Sequence, residues 1–220
     1  MSRKHFLIGA SCLGVALFLS LIGSISLPHL TALDYVRAKF ATPILSGQDT
    51  LSEIRLGIWG PCFYDEHDHR LCFNVGHGYP VPLLTTTGQI EIISGSWTRG
   101  LAVHPVATGV IAIAFGFAFA KFESAPLISV LTSVLSALIL LIAFAIDIAL
   151  YAEMHHKVGE LHGVKGNVDF GTAFWFTLVE LILVLVAAVM VFMGRRAGDS
   201  SESYPMFSSP SGGFFSRFKK

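Results

Sequence analysis

The stretch Gly57-Ile58-Trp59-Gly60-Pro61-Cys62, followed ten positions later by Cys72, decides how this chain is read. It lies in a long segment, residues 28 to 104, between the first two of four apolar stretches. Just before it, Ile54, Leu56 and Ile58 alternate with Glu53, Arg55 and Gly57, as a strand with one buried face requires. Leu71, Phe73 and Val75 alternate in the same way around Cys72, so a second half-buried strand is expected there. Gly60 and Pro61 interrupt the first strand immediately before its cysteine. Trp59 is expected at the membrane surface, where amphipathic aromatic rings are favoured. Cys62 and Cys72 are expected to bridge the two strands, because both fall on the oxidising side of the membrane in the topology argued below. Closing so short a loop contributes about 2–3 kcal/mol in the chain-entropy view. A metal-binding pair is the competing reading, and two thiols without CxxC spacing make a poor zinc signature. Cys12, inside the first apolar stretch, reads as a packing residue.

Composition places the chain in a bilayer. Its 220 residues are 53% hydrophobic and 14% charged, against about 45–50% and about 25% in soluble domains. Lysine plus arginine and aspartate plus glutamate balance at 15 each, so no basic face argues for nucleic acid. Four stretches, about 6–27, 105–122, 127–151 and 171–193, reach the roughly 20 apolar residues that a helix needs to cross the hydrocarbon core. Arg3, Lys4 and His5 precede the first, Lys121 falls in the tight connection between the second and third, and Arg195 and Arg196 follow the fourth. By the positive-inside rule both termini and that connection are cytoplasmic, while residues 28–104 and 152–170 are extracellular or lumenal. Ser24 and Ser26 would suit a signal-peptide cleavage point. The first apolar stretch is longer than the about 7–15 residues of a usual signal core, however, so a retained first span is expected.

The expected fold is therefore a membrane protein, mainly α. Residues 1–193 form one left-handed four-transmembrane-helix bundle capped by a small extracellular antiparallel β-sheet. Residues 194–220, rich in serine and glycine, form a flexible cytoplasmic tail whose basic and aromatic end can touch an anionic leaflet.

Two acids lie inside these spans, Asp147 in the third and Glu180 in the fourth, with no lysine or arginine at comparable depth. Intramembrane carboxylates are functional candidates by default. The expectation is that hydroxyls on neighbouring helices, Ser133, Ser136 or Thr177 among them, hold these acids and fix helix register. Partner binding and ion conduction are the alternatives, although two isolated acids do not make a pore ring. Eight of the nine histidines (His29, His67, His69, His77, His104, His155, His156 and His162) fall on the outer side. Imidazoles change charge near about pH 6.5, so His67, His69, His155 and His156 are the candidate pH-responsive set. The run Asp65-Glu66-His67-Asp68-His69 invites a divalent-metal reading. On a strand, however, His67 and His69 would share a face while Asp68 pointed away, so solvated turn residues are expected, with no metal and no cofactor. In the second span Ala112, Gly116 and Ala120 recur at four-residue spacing and permit close helix approach, with packing inside the chain's own bundle expected. No phosphate-cradling glycine loop, HExxH or GxSxG occurs, so an enzyme is not expected.

The motif Gly57, Ile58, Trp59, Gly60 and Cys62 with a later Cys72, in the first outer loop of a four-span protein, resembles the signature of the claudin-like superfamily. Its Gly-x-x-Gly-x-Cys form is most similar to the fungal PalI family, which contains pH-response and eisosome membrane proteins and related mating-fusion proteins. Animal claudins carry a tryptophan soon after the first span, where this chain reads Pro28-His29-Leu30-Thr31, and that departure argues against tight-junction strands. The resemblance implies a claudin-like plasma-membrane protein with a non-catalytic role: binding, stabilising or localising a polytopic membrane partner such as an ambient-pH sensor. An eisosome-type organiser supporting cell-wall integrity is the second reading it admits. An auxiliary subunit of a cell-wall polysaccharide synthase and an ion-transport or mating-fusion factor are the others. Besides the lipid bilayer, a lateral membrane-protein partner or self-association is expected, and no nucleic acid.

Overall fold

Four helices in the computed structural model are long and apolar enough to cross a membrane, and a seven-stranded antiparallel sheet sits on one end of them. The structure describes residues 3–46, 49–85, 88–120 and 124–202. Helix α1 covers Arg3–His29. Strands β1 Val36–Ser46, β2 Asp49–Leu56, β3 Pro61–Tyr64, β4 Arg70–Cys72, β5 Val81–Leu84 and β6 Ile90–Ile93 follow. A short helix α2, Gly95–Arg99, and one 3-10 turn lead into α3, Val103–Phe119. Then come α4 Ala125–Glu160, β7 Gly166–Phe170 and α5 Thr172–Glu202. Residues 203–220, most of the expected tail, and Lys121 lie outside the described residues.

The bundle is a ring in which α1 packs on α3 and α5, and α4 packs on the same two helices. Only 33% of each apolar window is buried within the protein, which leaves side chains such as Phe18, Leu138 and Ile182 facing lipid. The seam is made of small and branched residues: Ala16, Ala107, Ile111, Ala137, Leu140 and Val184 meet at mid-height. Alanine at these positions lets backbones approach closely, which is how helices associate where lipid removes any hydrophobic drive between them.

Ala112 and Gly116 of α3 do not lie in that seam. The buried stripe of α3 is His104, Ala107, Thr108, Ile111 and Ala114, so the helical period turns Ala112 and Gly116 to the opposite, exposed face. The expectation that they pack inside the chain's own bundle is corrected accordingly.

The α4 helix has 36 residues. At 1.5 Å per residue it is about 54 Å long, well beyond a hydrocarbon core of about 30 Å. The surplus is used by the sheet. Leu150, Met154, Val158 and Leu161, spaced to share one face, are buried in the sheet's own core with Val36, Ile54 and Val168. At its end, Lys157 Nζ bonds Glu91 Oε2 of β6 at 3.0 Å, and Gln89 Nε2 donates to the Glu160 carbonyl at 2.9 Å.

The sheet runs in the order β4-β3-β2-β1-β5-β6, with β7 also paired to β1. Strand β1 serves both neighbours on one edge because its register shifts between Lys39 and Ile44: its first half pairs with β7 and its far end with β5. The alternation read in β2 appears as expected, with Ile54, Leu56 and Ile58 fully buried. That around Cys72 is corrected. Strand β4 covers three residues, and Leu71, Phe73 and Val75 are 55%, 41% and 59% exposed. β4 ends the sheet order, and its inward face is the one carrying Cys72, which joins Cys62, Leu27 and Tyr64 in a small cluster at the end of α1.

Candidate functional site

Where the sheet meets the bundle, two constructions share the same few residues of α1. The first is the loop of residues 57–62. Helical geometry is lost at Ser26 and Leu27, freeing the Leu27 carbonyl, which accepts from the Trp59 N–H at 3.3 Å. Ser26 Oγ accepts from the Ile58 N–H at 3.1 Å, and the Trp59 indole Nε1 donates to the Ser24 carbonyl at 2.7 Å. On the other side, the Trp59 carbonyl accepts from Val75 N at 3.1 Å and Gly76 N at 2.9 Å, and the Tyr79 hydroxyl donates to the Gly57 carbonyl at 2.6 Å. Burial pushes the Tyr79 phenol above its ordinary pKa despite that bond, so it stays a donor across physiological pH.

Both glycines are required by contact. A Cβ on Gly57 would strike the Leu27 Cβ and lie 2.9 Å from the Leu27 nitrogen, while one on Gly60 would occupy the Phe73 carbonyl oxygen. Two residues later Cys62 stands directly opposite Cys72 in the β3–β4 pairing, and the two form a disulfide. The Gly-x-x-Gly-x-Cys spacing is thus the pattern of one chain crossing tightly over the end of α1 and then under the segment that follows β4.

The second construction is a polar cluster sealed between the helices at the sheet end. Asp147 from α4 and Glu180 from α5 are 0% and 3% exposed. Asp147 Oδ1 lies 3.0 Å from His104 Nε2, so a histidine of α3 joins the Thr177 hydroxyl as a partner of the carboxylate. Ser133 and Ser136 donate back to the carbonyls of Ser129 and Thr132 on their own helix. Thr177 lies beside the Asp147 carboxylate, but its hydroxyl donates to the Ala173 carbonyl at 3.2 Å. Glu180 is approached by the Ser20 hydroxyl, and Ser20 and Ser24 of α1 both bond Thr108 Oγ1 at 2.7 Å. Tyr35, just before β1, closes the cluster: its ring centroid is 4.5 Å from that of His104, and its hydroxyl points to the Gly23 carbonyl at 3.5 Å. Burial first, then the charges of Asp147 and Glu180, hold the Tyr35 phenol well above its ordinary pKa.

The reading of His104 as an outer-loop histidine is corrected by the same geometry, since it is buried in the first turns of α3. The signal that would have found the cluster is the recurrence of polar pairs one turn apart in apolar helices: Ser20 with Ser24, His104 with Thr108, Thr177 with Glu180.

The remaining histidines lie apart from this cluster. His67 and His69 occupy the turn between β3 and β4, where the Asp65 carboxylate accepts from both of their backbone N–H groups at 2.8 Å. Desolvation opposes it, but the two backbone bonds, with the charges of His69 and His67, together outweigh it and hold the Asp65 carboxyl below its ordinary pKa. His155 lies against Tyr151 on α4 at a centroid distance of 6.1 Å, and His156 Nε2 is 3.3 Å from Glu160 Oε1.

A family model described as the SUR7/PalI family matches residues 4–187, from the start of α1 to the middle of α5. The chain belongs to the SUR7/PalI family. That match takes in the first three spans, most of the fourth, the sheet and the disulfide. The chain is a multi-pass membrane protein of the SUR7/PalI family with a claudin-like four-span fold. No curated protein is detectably similar to it in sequence.

Within this SUR7/PalI fold the disulfide holds an edge hairpin that has little core of its own. Replacing Cys62 or Cys72 by serine is expected to lower stability by about 3 kcal/mol, the loop-closure contribution for so short a ring. Thermal unfolding in mild detergent, with and without reductant, checks this: both variants should match the reduced wild type. Equal midpoints for oxidised wild type and variants would remove the bridge from this account.

Proposed function

We propose that this chain is a non-catalytic accessory protein of the plasma membrane, with both termini cytoplasmic and the sheet outside, that binds and stabilises a polytopic membrane partner. The observation that carries this reading is the outward face of α3. Gly109 and Gly116 are exposed, nothing lies within 4 Å of where their Cβ atoms would be, and Ala112 lies exposed between them. Small residues on a lipid-facing stripe admit the close backbone approach by which transmembrane helices associate. Asp147, Glu180 and His104, in contrast, are buried inside the bundle, which leaves shape as the main means of lateral recognition. Family membership supports a membrane role, and the resemblance to pH-response members suggests an ambient-pH sensor as the partner. A self-associating organiser of membrane domains would use the same face against a second copy.

The test is co-purification of the tagged full chain from its native membranes in mild detergent at acidic and alkaline external pH, beside Gly109→Ile and Gly116→Ile variants. A polytopic membrane protein that accompanies the wild type and is lost from equally abundant variants is the expected result. Retention of that partner by both variants, or isolation of the wild type alone, would overturn it. Recovery of a homo-oligomer that the variants break would assign the face to self-association.

A further inference from the structure

The cluster at the sheet end of the bundle is short of one positive charge. Asp147, paired with His104, and Glu180 share this junction with a single imidazole, so with both acids ionised even an imidazolium leaves one negative charge over in a site sealed from water. No lysine or arginine occurs between Phe6 and Leu27, Val103 and Phe119, Ala125 and His156, or Thr172 and Met193. Arg37, on the sheet, is committed to Asp34 through two bonds of 2.9 Å. An uncompensated charge in low dielectric is strongly unfavourable, and proteins place a counter-charge or a proton beside it.

A second observation is independent of this arithmetic. Asp147 Oδ2 is buried and makes no hydrogen bond of good geometry, since the Thr177 hydroxyl beside the same carboxylate donates to the Ala173 carbonyl, although Oδ1 is bonded. A carboxylate oxygen left bare in the protein interior marks a place where something else donates or coordinates. The space is there as well. The absent Cβ of Gly23 would lie 3.6 Å from Tyr35 Oη and 3.9 Å from Glu180 Oε1, so the glycine leaves a gap beside both oxygens.

The polar groups of this junction are mostly oxygen. α1 supplies the Ser20 and Ser24 hydroxyls and the Gly23 carbonyl, α3 supplies the Thr108 hydroxyl beside the His104 imidazole, α4 supplies Asp147, α5 supplies Thr177 and Glu180, and the segment before β1 supplies the neutral Tyr35 phenol. Carboxylate, hydroxyl and carbonyl oxygens suit a hard cation. Among the described residues no three His, Cys, Asp or Glu side chains converge to hold a metal ion by themselves, so any cation here would rely on hydroxyl and carbonyl oxygens as well.

We infer that this cluster binds one small monovalent cation, a sodium ion or a proton, between Asp147 and Glu180 and beside Tyr35. The occupant completes the charge balance of a junction to which every helix of the bundle and the sheet contribute, so the seating of the sheet on the bundle depends on it. The site is buried and separate from the outward face of α3, and it stands or falls independently of the partner proposed above.

The test is thermal unfolding of the purified full chain in detergent. Sodium is titrated against a large organic cation at constant ionic strength and pH, and pH is titrated separately at constant sodium. If sodium is the occupant, the midpoint rises with sodium, and a hundredfold excess over the Kd multiplies the folding constant by about 100. If a proton is the occupant, the folded state holds one proton more than the unfolded chain, and the midpoint falls as pH rises. Glu180→Gln removes the surplus charge and abolishes either response. Gly23→Ala keeps every charge and narrows the gap, so it weakens the sodium response and leaves the proton response intact, which separates the two sources. A wild-type midpoint that is flat in both titrations, or responses that persist unchanged in Glu180→Gln, would overturn the inference. Should Glu180→Gln fail to fold, the two wild-type titrations together with Gly23→Ala still decide it.

Discussion

Gly60→Ala is expected to be among the most damaging single methyl additions possible in this protein. The new Cβ would fall on the carbonyl oxygen of Phe73, with the carbonyl carbon 2.9 Å away. Both obstructing atoms are backbone and are themselves pinned, since Phe73 N donates to the Pro61 carbonyl at 3.0 Å and its neighbour Cys72 is held by the disulfide. A flexible side chain would swing aside, but this segment has to detach from the loop of residues 57–62. Overpacking in ordinary cores costs about 1–3 kcal/mol, and a clash with backbone belongs at or above the top of that range. The expected result is loss of at least about 3 kcal/mol, seen as a collapse in the yield of folded, monodisperse protein. Gly109→Ala is the control: its Cβ meets nothing within 4 Å, so it should fold as the wild type does. Equal yields and midpoints for the two variants would sink the close-approach account of the motif.

Arg37→Met is expected to cost nearly as much, for an electrostatic reason. The Asp34 side chain is fully buried where α5 begins, and its backbone carbonyl also accepts from Ala173 N at 3.0 Å. Its carboxylate is held by Arg37 in a two-point pair, Nε to Oδ2 and a terminal nitrogen to Oδ1, both 2.9 Å. That hydrogen bond, outweighing desolvation, holds the Arg37 guanidinium above its ordinary pKa. Methionine keeps most of the apolar stem and removes the charge, stranding a buried carboxylate, a change that typically costs about 3–5 kcal/mol. The double variant Asp34→Asn with Arg37→Met removes both charges and should recover most of the loss. Chemical denaturation of the two singles and the double gives the coupling. Simple additivity would show that Asp34 does not depend on Arg37.

Much of the fold was legible because the bilayer acts on every residue of a span in the same way. A stretch such as Leu127 to Tyr151 must be predominantly apolar, with Asp147 its one charged residue, and no partner is needed to recognise it. The strand carrying Ile54 and Leu56 was legible for a related reason, since one face is buried throughout and the period of two survives, with Ile58 buried just beyond its end. The same period around Leu71 and Phe73 misled, because it marks two faces without saying which is covered. At the edge strand β4 the covered face is that of the disulfide.

The candidate site divides along the same line. Two acids in apolar helices stand out as Asp147 and Glu180 do, but helical spacing on α4 or α5 alone cannot name His104, 43 residues away from Asp147 on another helix. Nor does it place Tyr35 over the gap beside Gly23. Small residues at 112 and 116 announce close packing without its direction, which follows from the phase of α3 against α1 and α4. The amino-acid sequence by itself determined the number of spans, the cysteine pair and the glycine motif, because each is a local requirement of lipid, redox chemistry or backbone approach. Tertiary structure alone decided which buried charges meet, which face of α3 stays open and which end of the long α4 helix supports the sheet. Those depend on the rotation of each helix about its axis, a quantity set only by all its neighbours together.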